Sequence, residues 1–429
     1  MKKPIDPNLN KDSDFDIVED IAMSETGVEE EKAVSGEKMA EVPLSEHHHH
    51  HHHHHHSSGE HHHSSGEHHH HHHHSSGEQH HHSHNHKKKK KKKKKKPFII
   101  RLIAFILVLV LVIAALGAGA FLILDRRGKA DMKNVAKQTE YQDVVEYNGH
   151  KYVYNEDVIS VAFLGIDKRS LDEVSTIGTA GQADADMVVT VNTVTGRVKV
   201  IAVPRDTMVD VDLYSEDGEF LRSENMQLCL SYAYGNGKDT SAQNVLTSLS
   251  RILYNVPISK YFALDLDGIA PINDAIGGVT VESLYNFTNK GISVGDKVHL
   301  TGEMTETYVR YRDLDNVEAS LNRTARQVQY VKAFAAQLVP AVKNDFSIVN
   351  DLYNTASLYS TTNIDISNVT YMASLLLSKG INDFESVTLK GEMIESDRKD
   401  YSDFVYAEFY PDEDSTLETV LDTFYTQID

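Results

Sequence analysis

"VISVAFLGIDKRS", residues 158–170, is an uncharged run that stops at a carboxylate. Val158 to Gly165 is apolar on both alternating sets of positions, the pattern of a strand covered on both faces, and Asp167 closes it. The same arrangement recurs downstream. "GQADADMVV" sets Asp184 and Asp186 just ahead of a strand at 187–192, and "AVPRD" sets Arg205 and Asp206 just after one at 198–203. "YFALDL" (261–266) and "GVTVES" (278–283) add two more strands, and helical patterns fall at 241–254, 267–275, 302–309 and 322–338. Strands alternating with helices predict an α/β domain, whose ligands bind at the strand ends, where these polar residues lie.

A second stretch, "VRYRDLDNVEASLNRTARQ" (309–327), gathers Arg310, Arg312, Arg323 and Arg326 in a chain of formal charge -20. If residues 310–312 are extended, Arg310 and Arg312 point to one face. If a helix opens at Asn322, then Arg323, Arg326 and Gln327 share its first-turn face, where free N–H groups already favour an anion. The competing reading is a solvated helix face paired with Asp313, Asp315 and Glu318. Guanidinium forks suit phosphate oxygens, and carboxylates suit a hard divalent cation, so a pyrophosphate with Mg²⁺ fits both sets of residues.

The first 101 residues carry 16 basic and 16 acidic side chains, so the net charge lies entirely beyond them. Residues 1–46 are polar, without apolar periodicity, and are expected to be a disordered tail. Residues 47–96 are a low-complexity segment: 25 of the 27 histidines, then ten lysines, Lys87 to Lys96. Such a tract binds Zn²⁺ or Ni²⁺ as any polyhistidine does, without the fixed spacing of a defined site. Residues 98–124 are expected to span a membrane, since Leu102 to Leu124 is 23 residues without charge. Eleven basic residues from Lys87 to Arg101 precede it, against Arg126, Arg127 and Lys129 after it, which predicts a cytoplasmic N-terminus and an extracytoplasmic domain in a cell membrane. The basic run is explained by topology and anionic lipid, so no nucleic-acid partner is expected. A polar linker is expected over 125–157 and the folded domain over 158–429. The single Cys229 excludes an intramolecular disulfide.

In order along the chain stand "FLGID" (163–167), an aspartate before a strand, "VPRDTMV" (203–209), "SYAYGNG" (231–237), "NDAIGGVTV" (273–281), "LTGEMTETYVRYRD" (300–313) and "NRTARQ" (322–327). Together with the single span, this ordered set resembles the LytR-CpsA-Psr family of cell-wall enzymes. The resemblance implies a three-layer αβα fold with a central mixed sheet. It implies transfer of a glycopolymer, a teichoic acid or capsule, from a polyprenyl-pyrophosphate carrier to a peptidoglycan hydroxyl as a phosphodiester. It assigns Mg²⁺, with Mn²⁺ as a substitute, to Asp167 and Asp184. It assigns the phosphates to Arg205, Arg310, Arg312, Arg323 and Arg326, with Gln327 alongside. Three places depart from the pattern. Gln182 replaces a usual arginine, Gln227-Leu228-Cys229 replaces a common Lys-Ile-Asn, and Asp186 is an extra carboxylate two residues from Asp184, able to share its face as an alternative ligand.

In the expected mechanism Arg205, Arg310 and Arg312 stabilise charge at the reacting phosphorus, and Asp206 or Asp167 accepts the proton of the attacking hydroxyl. An apolar groove among the helices is required for the isoprenoid tail. Two other readings share the residues: a pyrophosphatase with water as acceptor, and a protein that binds lipid pyrophosphate as a regulator without turning it over.

Overall fold

The computed structural model describes residues 98–137, 144–313, 318–380, 383–397 and 405–429; the tail expected over 1–46 and the tract expected over 47–96 lie outside the described residues. A 40-residue helix, α1 (Phe98–Lys137), is followed by β1 (Val145–Tyr147) and β2 (His150–Tyr154). Next come β3 (Val158–Ile166), β4 (Ala183–Asn192), β5 (Arg197–Val203) and a hairpin of β6 (Met208–Tyr214) and β7 (Phe220–Gln227). A 3-10 turn at Leu228–Tyr232 leads to α2 (Asp239–Ile252), β8 (Tyr261–Leu264), α3 (Ile269–Ala275), β9 (Val279–Glu282), β10 (Lys297–Leu300) and α4 (Glu303–Arg310). Then follow α5 (Ala319–Asn344), α6 (Ser347–Ser357), β11 (Ser360–Thr362) and α7 (Ile366–Lys379). The chain finishes with β12 (Asp383–Thr388), β13 (Gly391–Asp397), β14 (Val405–Pro411), α8 (Glu413–Phe424) and β15 (Tyr425–Gln427).

Six strands form the central sheet in the order β11-β8-β3-β4-β5-β12. The β8–β3 and β5–β12 pairs are parallel and the others antiparallel, so the sheet is mixed. Side-chain alternation sorts β3 into two faces. Ala162, Leu164 and Ile166 turn toward Val245, Leu246 and Leu249 of α2 and Val420 and Phe424 of α8. Ile159 turns the other way, under Tyr371 and Leu375 of α7, while Met187 and Val200 meet Val328 and Val331 of α5. Helices on both faces make the three-layer αβα architecture that the sequence predicts. Leu164, Ile201 and Leu249 are fully buried, each contributing about 1.5–3 kcal/mol of apolar burial. Truncating Leu164 to alanine would cost about 2–5 kcal/mol, because the close-packed neighbours on its face of the sheet cannot collapse into the space.

The segment expected as a linker over 125–157 is instead structured over most of its described length. α1 runs unbroken to Lys137, and β2 pairs with β15 at the far end of the chain, Tyr154 opposite Tyr425. Local pattern does not reveal a strand whose partner is so distant in sequence. The expected strand at 278–283 is real, but it pairs with β10 in a separate two-stranded sheet.

Candidate functional site

The site is built at one end of β3, β4 and β5. Gly165 pairs with Ala185 but Ile166 pairs with Ala183, so the register slips there and Asp184 is the extra residue. A slip of this kind re-aims a side chain. Ala183 joins the cluster of Val188, while Asp184 swings to reach Arg323 of α5 on the opposite face. Asp186, two residues from Val188, stays on the Val188 side of the strand. The two carboxylates therefore do not share a face, contrary to the sequence expectation. Asp186 is 2% exposed, and neither of its oxygens has a hydrogen-bond partner among the described residues. Burial, then the neighbouring Asp184 charge, push its carboxyl well above the usual carboxylate range.

Asp184 carries the opposite balance. Burial alone would raise it, but Arg205, Arg323 and Arg312 more than offset that, and its carboxyl is held below the ordinary value. One oxygen accepts from Arg205 and the other from Arg323 at 2.8 Å. Arg205 is 7% exposed, just past the end of β5, and it also donates to Gln182 and to the Cys229 sulfur at 3.1 Å. Two departures from the family pattern thus converge on one guanidinium. Gln227, from the same stretch as Cys229, donates weakly to the Ala407 carbonyl, 3.4 Å away. Asp206 lies 3.5 Å from the Arg205 Nε through one oxygen, and its other oxygen is buried without a partner among the described residues. The Gln182 N–H donates to Asp167 at 2.6 Å. Burial raises the Asp167 carboxyl against that bond, and the Asp184 charge adds to the rise.

The arginine-rich stretch folds differently from its expected form. Arg310 is not extended but is the last residue of α4, half-exposed and paired with Glu306 one turn earlier at 2.6 Å. Glu306 is shared with Arg169, a residue that the sequence patterns did not single out, which also reaches Asp267 at 2.9 Å. Helix α5 opens at Ala319 with Glu318 at its cap, so Asn322 is not the cap and Arg323 and Arg326 lie beyond the first turn. The free N–H groups of a helix start are consequently not beside them. Arg326 is 2% exposed; its Nε donates to the Tyr308 carbonyl at 3.0 Å and an Nη to the Tyr311 carbonyl, and its guanidinium lies over the Tyr285 ring. It ties α5 to the end of α4. Arg323 behaves otherwise: one Nη holds Asp184, while its Nε and second Nη are buried without an acceptor among the described residues.

Arg323, Asp184, Arg310 and Gln327 line one end of a cavity of about 350 Å³ whose other walls include Phe163, Phe262, Val331 and Phe334. Gln327 donates to the Val309 carbonyl at 3.3 Å, and its own carbonyl oxygen is buried without a partner among the described residues. A cationic end on an apolar cavity fits an amphiphile with an anionic head.

The profile of the LytR_cpsA_psr family matches residues 121–413. The chain belongs to this family. Among its relatives, a polyisoprenyl-teichoic acid–peptidoglycan teichoic acid transferase TagU of Halalkalibacterium halodurans is 28% identical over 216 residues, 50% of this chain and 60% of that protein. The corresponding transferase TagV of Bacillus subtilis is 27% identical, over 48% of this chain and 50% of that protein. The chain therefore spans between half and three-fifths of these relatives' lengths. A crystal structure of a Streptococcus agalactiae protein superposes with a TM-score of 0.51 at 19% identity, covering 63% of this chain and 90% of that one, a likeness of fold.

The carboxylates available at this site to hold a divalent cation are Asp167 and Asp184. Among the described residues no cluster of three or more histidine, cysteine or acidic side chains forms a cage. A pair of carboxylates is nonetheless the donor set with which Mg²⁺ is commonly held, the remaining positions going to water and phosphate oxygens. Burial is the main cause of the Asp167 rise and the Asp184 charge adds to it, and a cation would relieve both. Asp184 already has both oxygens on guanidiniums, so a cation there competes with Arg205 or Arg323.

Proposed function

We propose that this protein is a membrane-anchored phosphotransferase that moves a glycopolymer from a polyprenyl-pyrophosphate carrier to a peptidoglycan hydroxyl. The observation that carries the reading is Arg323, a buried cation with two N–H groups lacking acceptors, at the polar end of an apolar cavity. Buried charged donors without partners are costly, and phosphate oxygens would satisfy them with short, charge-assisted bonds. The apolar walls suit the isoprenoid tail. The teichoic acid transferases among its relatives support the class of reaction.

In this reading the hydroxyl attacks the phosphorus bonded to the glycan, a new P–O bond forms as the bond to the bridging oxygen breaks, and polyprenyl phosphate leaves. Arg205, Arg310 and Arg323 take up charge on the phosphate oxygens, Arg312 adds to their field, and Gln327 orients the head group. Arg310 must first leave Glu306 to serve. Arg326 acts by fixing Tyr311 and hence the course of the chain toward Arg312. Asp206 and Asp167 are the groups available to accept the proton. When bound at Asp167 and Asp184, Mg²⁺ would neutralise phosphate charge. The uncharged helix segment from Leu102 to Leu124 supplies the anchor, with the N-terminus cytoplasmic.

The test is a transfer assay on the full chain with a lipid-linked oligosaccharide pyrophosphate and peptidoglycan fragments, with Mg²⁺ and with chelator. The expected product is a phosphodiester-linked glycan in the Mg²⁺ arm, reduced about tenfold to a hundredfold by Arg323→Ala. Release of free glycan phosphate without transfer would overturn the reading in favour of hydrolysis, and binding without turnover would overturn it in favour of a regulator.

A further inference from the structure

The sequence suggests a polar linker between membrane span and domain, but the foot of α1 is bolted to the domain. At Gly128 the helix comes so close to α7 that a Cβ there would collide with the Ser367 carbonyl and the Tyr371 side chain, so the contact requires glycine. One turn on, Asp131 accepts from Lys260 at 2.6 Å and from Asn368 at 2.9 Å, and Lys133 donates to Asp157 at 2.7 Å. Between them Met132 is 3% exposed, packed with Ile159, Tyr371 and Leu375. Higher on the helix, Phe121 meets Phe346, at the start of α6, edge-to-face with ring centroids 5.6 Å apart.

We propose that residues 121–133 form a rigid strut that seats the domain on the bilayer, with the turn between α5 and α6 resting in the lipid headgroup layer. Phe121 belongs to the uncharged run that ends at Leu124, so Phe346, which touches it, lies at the edge of the hydrocarbon. Seven residues separate Leu124 from Asp131, about 10 Å of helix, little more than the depth of a headgroup layer. Exposed Arg126, Arg127, Lys129 and Lys343 lie at this level beside Asp125 and Asp345; Arg127 is 3.9 Å from Asp365, and Asp345 is turned to the Ser347 N–H. Cations beside an aromatic contact at the end of a span suit anionic phospholipid headgroups. A strut in place of a tether fixes the height of the cavity over the membrane. The inference uses the anchoring part of the proposed function and is independent of the transfer chemistry.

The test uses the full chain in phosphatidylcholine–phosphatidylglycerol vesicles, with Asn344→Cys carrying a fluorophore and a headgroup-attached nitroxide lipid as quencher; Cys229 is 1% exposed and stays unlabelled. The expected result is quenching at position 344 and protection of Lys129 from trypsin. A Gly/Ser insertion of about six residues after Leu124 should abolish quenching while trypsin protection persists. Gly128→Leu should abolish both, with cleavage about tenfold faster or more, and the Asp131→Ala/Lys133→Ala pair should do the same without adding bulk. The proposal is overturned if the unmodified chain shows no quenching, if quenching survives the insertion, or if trypsin cuts the unmodified chain as fast as both unseated variants. Release of the chain by alkaline wash would overturn the anchoring itself, and the strut with it.

Discussion

Strands β4 and β5 carry an ion cluster at each end, and the two clusters are made differently. At the end remote from the cavity, Arg197 pairs with Glu385 at 2.7 Å and Asp422 at 2.9 Å, and Lys199 shares both carboxylates. Two cations meet two anions, around a small polar cleft of about 100 Å³. At the other end Asp184 faces three guanidiniums, Arg205, Arg323 and Arg312, with Asp206 3.5 Å from Arg205, and the cluster opens onto about 350 Å³ of apolar space. In sequence the two ends look alike, as charged residues flanking apolar runs. Among the described residues a buried donor without an acceptor occurs at both ends, on the Nε of Arg197 and on Arg323, so what marks the ligand site is three guanidiniums converging on one carboxylate and apolar room beside them. A cluster whose cations are matched by carboxylates holds strands and helices together; one with cations in excess beside open space is completed by something else.

The largest effect expected at the unequal end is that of Asp184→Asn. A neutral amide is a poor ligand for a hard cation and leaves Arg205 and Arg323 without their shared carboxylate, so transfer should fall about a hundredfold to a thousandfold. Added pyrophosphate should raise the thermal midpoint of this variant more than that of the native chain, since it replaces the missing charge; equal shifts would mean that the arginines are not anion donors.

Next comes a contrast within the arginines. Arg326→Ala should cost about 2–4 kcal/mol of folding stability by denaturant titration, because it strips buried carbonyls of their donor. Arg310→Ala removes only a half-exposed pair on one helix turn, worth about 0.3–0.5 kcal/mol, yet should weaken lipid-pyrophosphate binding about tenfold or more. If the two variants behave alike, the division between structural and ligand-facing arginines fails.

Asp265, at the end of β8 and on the wall of the cavity, sharpens the comparison through pH. Burial pushes its carboxyl up to about 6. The folded chain therefore keeps this proton while the unfolded chain loses it, so stability is complete below about pH 4 and declines as pH rises toward 6. Asp265→Asn should remove that decline, a gain of at most about 3 kcal/mol at pH 7.5 and none at pH 4, read from thermal midpoints at the two pH values. The smallest effect belongs to the balanced cluster. Arg197→Ala should cost about 1 kcal/mol of stability and leave transfer unchanged; a loss of activity at constant stability would break the distinction drawn between the two ends.

By itself the sequence determined the α/β layering, the apolar helix, the strands at 158–165 and 198–203, and the ordered motifs that mark the family. These rest on short-range periodicity, which apolar burial enforces within a few residues. It also brought Asp184, Arg205 and Arg323 to notice, since charged residues at the ends of apolar strands and a cluster of arginines in an acidic chain are visible in any reading. What each does there was decided only by the tertiary structure. The register slip opposite Gly165 sends Asp184 and Asp186 to different faces, and a strand pattern of period two does not reveal it. Helix α5 starts three residues before Asn322, which removes the helix-terminal N–H groups from the arginines. Arg326 is committed to two backbone carbonyls and Arg310 to Glu306, choices made by segments meeting in space. Gln182 and Cys229, visible only as departures, became partners of Arg205 once folding set three distant segments side by side. Local pattern follows from a residue's own neighbours, whereas the partner of a charge depends on which other charge the fold leaves within about 4 Å of it, and that is a property of the whole chain.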